Sequence, residues 1–209
     1  MLNRDSKSRK PAQNLRSRLK EATADAILVA AAEVFAEQGL TAARMETIAE
    51  RAGVSVGTLY NHFDDRAALL DALLKRRREA LLKRLDAALA ESQGRPFREQ
   101  LATFLAALAD HVAEHGGFLR VLMQSEELVQ KKHGQSPSRA ELHKRLETLV
   151  SRGVRAGQVR PEGQALYPTL LMGMLSAVFH QELGDSQGGG GMKRSLEELS
   201  RVFLKGVEV

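Results

Sequence analysis

The chain has 209 residues, 31 Lys and Arg against 26 Asp and Glu for a formal charge of +5, and no cysteine. That length buries one sizeable core or two modest ones without disulfides or metal. The missing cysteine excludes thiolate metal sites, thiol nucleophiles and a disulfide framework, and suits a reducing compartment, with the cytoplasm as the expected location.

A positive balance directs the search for a partner to polyanions, nucleic acid or a membrane surface. Residues 1–20 hold seven basic side chains (Arg4, Lys7, Arg9, Lys10, Arg16, Arg18, Lys20) against Asp5, which is +6, so the rest of the chain sums to 5 − 6 = −1. The basicity belongs to an N-terminal arm, 1–20. No apolar stretch follows these charges, so a secretory signal is not expected. The longest apolar run, ALYPTLLMGMLSAVF at 165–179, is too short to span a bilayer and contains a proline, so no membrane partner is expected.

Apolar residues recur every three or four positions almost throughout, alternating runs are missing, and Pro and Gly fall mostly between the periodic blocks. The expected fold is all-α. The first helix is predicted over Thr23 to Gln38, with Ile27, Ala31, Val34 and Phe35 inward and Gly39 as a left-handed stop. A short second helix covers Met45 to Ala52 and ends at Gly53; a third runs from Ser55 to Phe63. A long leucine-rich helix follows from Asp64 to a break near 93–96. Further helices are predicted at 97–115, 117–131, 138–156, 162–183 and 192–206, with a flexible DSQGGGG connector at 185–191.

Two short helices around Gly53 make a helix-turn-helix, in which Ala49 allows close approach and Gly53 takes the positive φ of the corner. Ser55 is the cap of the third helix. Val56, Leu59 and Phe63 at i, i+3 and i+7 form its inward stripe, with Val54 plugging the shared core. Gly57, Thr58, Tyr60, Asn61 and His62 are left outward, a face of small and hydrogen-bonding residues suited to phosphate oxygens and base edges. Arg66 is a cation in a first helical turn, where it opposes the helix dipole, and so suits an external anion.

The segments AAEVFAEQG, METIAERAGVSVGTLYNHF and DDRAALLDALL, within Ile27 to Leu74, resemble the DNA-binding domain of the tetracycline-repressor (TetR) family of bacterial transcription regulators. The resemblance implies a helix-turn-helix domain over 21–66 and a helical ligand-binding and dimerisation domain over 67–209. It implies a cytoplasmic homodimer that binds a palindromic double-stranded operator, acts as a ligand-responsive repressor, uses no cofactor and is not an enzyme. Carried over by position, Gly57 and Thr58 approach bases and backbone, Tyr60 and His62 hold phosphates, Ser55 and Val56 open the recognition helix, and Arg66 stands where lysine is common. Two departures are Arg44, where Ser or Thr often begins the second helix, and Glu46, where a basic residue is common; Arg44 is itself a candidate phosphate contact.

For the implied effector pocket the candidates are Phe104, Leu108, His111, Phe118, Leu122, Met123, Met172, Phe179 and His180, helical stripes that also serve as core. HVAEH at 111–115 puts two imidazoles at i and i+4, a spacing that can hold a metal, but no third ligand is identifiable, and no metal is expected. Gly173, Ser176 and Ala177, with Leu196, Leu199, Val202 and Phe203, are the candidate dimer contacts. The alternative function is a helical metal- or ligand-binding protein, or an enzyme, without a DNA-binding role.

Overall fold

A computed structural model describes residues 9–124, 137–184 and 191–209. Its helices are α1 (Arg9–Gln38), α2 (Met45–Arg51), α3 (Val56–Tyr60), α4 (Arg66–Glu91), α5 (Phe97–Gln124), α6 (Pro137–Arg155), α7 (Tyr167–Gly184) and α8 (Met192–Val207), with a 3-10 turn at Pro161–Gly163. The all-α expectation holds. None of the described helices is long and apolar enough to cross a membrane.

The chain divides into two compact units, Met1–Lys75 and Arg76–Val209, with the boundary inside α4. In the first, Ile27, Ala31, Val34 and Phe35 of α1 are buried, as the periodicity predicts, with Ile48 and Ala49 of α2, Leu59 of α3, and Leu69 and Leu73. Gly39 stops α1 at φ 82°. α1 begins far earlier than the sequence suggests: residues 9–20, set apart as a basic arm, are helical and continue into it.

In the second unit α5 is central, packing on α6, α7 and α8 around Phe97, Phe104, Leu108, Leu146, Leu171 and Leu175. The stop predicted at Gly116 does not occur, because α5 runs unbroken to Gln124. Glycine inside a helix costs about 1 kcal/mol relative to alanine. Burial of Val112 and Phe118 on either side outweighs it. The helix predicted over 117–131 is therefore the end of α5 as far as Gln124, and its remainder lies outside the described residues, as does the connector up to residue 190. Leu196, Leu199 and Phe203 are buried within the chain, so of the α8 residues nominated for a dimer contact only Val202 is exposed.

Candidate functional site

α2 and α3 are built around the corner that the sequence predicts. Gly53 has φ 69°; its N–H donates to Glu50 O at 3.0 Å and the N–H of Val54 to Ala49 O at 3.0 Å, the paired bonds of a Schellman cap. Arg51 holds α2 to α1 through a two-pronged contact with Glu37, at 2.9 and 2.8 Å. The guanidinium keeps the Glu37 carboxyl below the usual carboxylate range.

Ser55 caps α3. Its Oγ accepts from the Thr58 backbone N–H at 3.1 Å and lies 2.8 Å from the Thr58 hydroxyl. The threonine hydroxyl, nominated for base contact, is thus shared with the cap. A cap matters here because α3 has only five residues. Ser55→Ala is expected to lower the stability of the first unit by about 1 kcal/mol, measured by urea unfolding, with a smaller loss for Ser55→Gly.

Leu59 is fully buried under α3, while Gly57, Tyr60 and Asn61 are exposed and Thr58 and His62 half-buried. Tyr60, 45% exposed, is an aromatic held out to solvent rather than folded into the core. The inward stripe differs from the sequence reading. Val56 is exposed, and Val54 and Phe63 are only half-buried, because α3 ends at Tyr60 and the chain turns before Phe63. Val56 therefore lies on the same open surface as Gly57 and Tyr60.

Arg44 is exposed and makes no side-chain cap at α2. Arg66 donates from Nη1 to the carbonyl of Thr41 at 2.6 Å, tying the start of α4 to the turn after α1. The cap of α4 is Asp65, which accepts from the Ala68 N–H at 2.7 Å. Arg66 thus has a positioning task inside the unit that its place in the sequence does not reveal.

The candidate effector residues concentrate on one line of α5. Phe104, Leu108, His111, His115, Phe118 and Leu122 follow one another at alternating steps of four and three, a single helical face. Phe104, Leu108, His111, Phe118 and Met172 are buried, Leu122, Met123 and Phe179 half-buried, and His180 exposed. None of these lines the groove of about 290 Å³ between α5 and α8, which opens on the opposite side of α5 at Ala102, Leu105, Ala106 and Ala109.

The two imidazoles of this line stand edge to face with centroids 4.7 Å apart. What approaches them is a cation from α4: Arg77 Nη1 lies 2.8 Å from Nε2 and 3.0 Å from Nδ1 of His115. Arg84 pairs with Glu114 alongside, at 2.7 and 2.9 Å. Burial pushes His111 down to about 4, reinforced by His115, Arg84 and Arg77 and opposed by Glu114. His115 is lowered as well, first by burial and then by Arg77. No group of three or more metal-ligating side chains occurs among the described residues. The sequence showed the imidazole pair; the arginine, 38 positions away, left no local signal.

Comparison with known proteins covers both units. Residues 27–73 match the profile of bacterial regulatory proteins of the tetR family, and residues 94–180 that of the tetracyclin repressor-like C-terminal domain. A 100-residue stretch, 48% of this chain, is 33% identical to the HTH-type transcriptional activator FasR of Mycolicibacterium smegmatis and covers 45% of it. The chain thus spans less than half the length of that relative. Among solved structures, SmeT, the repressor of the Stenotrophomonas maltophilia efflux pump SmeDEF, superposes with a TM-score of 0.73 at 21% identity, covering 91% of this chain and 92% of that one. A TetR regulator from Chloroflexus aurantiacus gives 0.71 at 18% identity, with 92% and 99% covered. Both of its units matched by the two family profiles, the chain belongs to the TetR family of bacterial regulatory proteins.

Proposed function

We propose that the protein is a sequence-specific DNA-binding transcription regulator, a homodimeric cytoplasmic repressor whose operator affinity is set by a small molecule. The observation that carries the reading is α3: a capped helix of five residues, pinned by Leu59, that presents Gly57, Tyr60 and Asn61 to solvent. Such a surface has no packing role, and its groups match phosphate oxygens and base edges. Arg44, Ser55, Val56, Thr58, His62 and the free donors of Arg66 complete the proposed contact.

The proposed effector site is the α5 face from Phe104 to Leu122, apolar with His111 as its buried polar group. An apolar effector class is supported by SmeT, which forms a complex with triclosan. The proposed dimer contact is the exposed line of Leu170, Gly173 and Ala177 on α7, with Leu166 in the turn just before it and Val202 of α8. A ligand releases DNA only if it prefers the DNA-incompetent state.

The test is selection of duplexes from a randomised DNA pool by the full-length protein, followed by titration of the selected duplex. Tyr60→Ala is expected to weaken binding by about 1–3 kcal/mol, roughly fivefold to 150-fold, with the fold intact. Unchanged affinity in the folded variant would remove Tyr60 from the contact; no selected duplex at all would overturn the function.

A further inference from the structure

Charge is unevenly divided within the first compact unit. Residues 21–75, which contain the whole helix-turn-helix, hold four basic side chains (Arg44, Arg51, Arg66, Lys75) against nine acidic ones, a sum of 4 − 9 = −5. Two of the four already have internal partners, Arg51 with Glu37 and Arg66 with the Thr41 carbonyl. A unit of this sign is repelled by a polyanion except where individual groups meet it closely. Residues 1–20, at 7 − 1 = +6, reverse the balance.

The geometry of α1 gives those charges a place. The helix starts at Arg9, yet none of residues 15–26 is buried, and the first buried side chain is Ile27. At 1.5 Å per residue the extension projects about 27 Å beyond that core residue. Its first turn carries no acidic residue to favour the helix dipole. Isolated helix of this length is marginal in water, and like charges at i, i+4 weaken it further.

Those like charges form a line. Lys20 lies seven residues before Ile27 and Arg16 four before Lys20, so the face of α1 that is buried at Ile27, Ala31 and Val34 becomes basic where the core ends. The sequence places Arg9 on the same line, seven residues earlier. Arg18 falls on the opposite side. Arg16 and Lys20 are exposed, and neither has an ion pair among the described residues.

We infer that this basic line on the N-terminal extension of α1 is a second DNA-docking surface, which lies on phosphates flanking the segment read by α3 and supplies the attraction that the net-negative helix-turn-helix lacks. The inference rests on the proposed DNA-binding function. Because phosphate contacts carry no sequence information, the extension raises affinity for all duplexes alike, and α3 alone sets the choice among them.

The experiment compares Arg16→Gln/Lys20→Gln, Arg18→Gln and the unaltered full chain on the duplex selected from the randomised pool, and on a scrambled duplex, from 50 to 200 mM salt. Each phosphate contact contributes about 0.9 to the slope of log affinity against log salt, so the double variant should lose about 1.8 per subunit, about 3.6 for the bound homodimer. Over that salt range its deficit relative to the unaltered protein narrows by roughly 150-fold. The ratio of selected to scrambled binding should stay unchanged, and Arg18→Gln should leave the slope in place. An unchanged slope in the double variant, its helical content intact, overturns the inference, as does charge-dependent adhesion of the extension to anionic phospholipid vesicles without any effect on DNA. Neither outcome touches the regulator reading, which stands if Tyr60→Ala still loses the selected duplex.

Discussion

Replacing Leu59 with alanine is expected to destabilise the first compact unit by about 3 kcal/mol and to abolish binding of a selected duplex. The side chain is fully buried, and it is the single buried residue of α3. A helix of five residues has no stability of its own, since one turn fixes several backbone dihedrals for a single hydrogen bond. The Ser55 cap contributes about 1 kcal/mol and cannot substitute for the anchor. Loss of Leu59 therefore removes the fixed positions of Gly57, Tyr60 and Asn61 together, a larger effect than truncating Tyr60 alone. Hydrogen exchange reads the outcome by unit: amides of residues 45–63 should lose protection, while those of 97–123, packed in the second unit's own core, should keep it. Unaltered exchange at α3 would show that the helix is held by something other than Leu59.

How far the sequence speaks depends on whether a feature is local. Gly39 and Gly53 were legible because a left-handed corner almost requires glycine, and Ser55 because a cap acts within three residues. The buried face of α1 was legible from spacing alone. Gly116 misled, since a propensity of about 1 kcal/mol is small beside tertiary burial. The extension of α1 could not be read because it has no buried face, and periodicity reports burial. Val56 followed the inward count and yet is exposed, because a helix this short does not complete the stripe that the count assumes. Arg66 on Thr41 and Arg77 on His115 bridge positions 25 and 38 apart, and nothing in a single chain marks such pairs.

The His111 cluster carries the second large effect, a stability that falls with acid in a window of its own. His111, at 4% exposure, is held neutral with its pKa near 4, below the ordinary 6.5, by burial and by the cations Arg77 and Arg84 from α4 and His115 beside it on α5, against Glu114. Between those two values the unfolded chain binds a proton that the folded chain does not, so unfolding is favoured as pH falls. The contribution is complete above about 6.5, reaches about 3 kcal/mol, and is lost on the way down to about 4. His115 acts in the same direction. Its neutral ring can accept from Arg77, whereas a protonated ring would face the guanidinium as a like charge. The lowered carboxyls of Glu37 and Glu114 also cost stability in acid, but they titrate below the ordinary carboxylate value of 4.5 and leave the range above it to the imidazoles. Urea unfolding of the second unit at intervals from pH 7 to 4.5 should therefore show a steep decline that His111→Leu largely flattens. His115→Gln, which keeps an acceptor for Arg77, should remove a smaller part. Parallel profiles for the unaltered chain and His111→Leu would mean that the buried imidazole accepts its proton in place, and that α4 and α5 part locally to admit it.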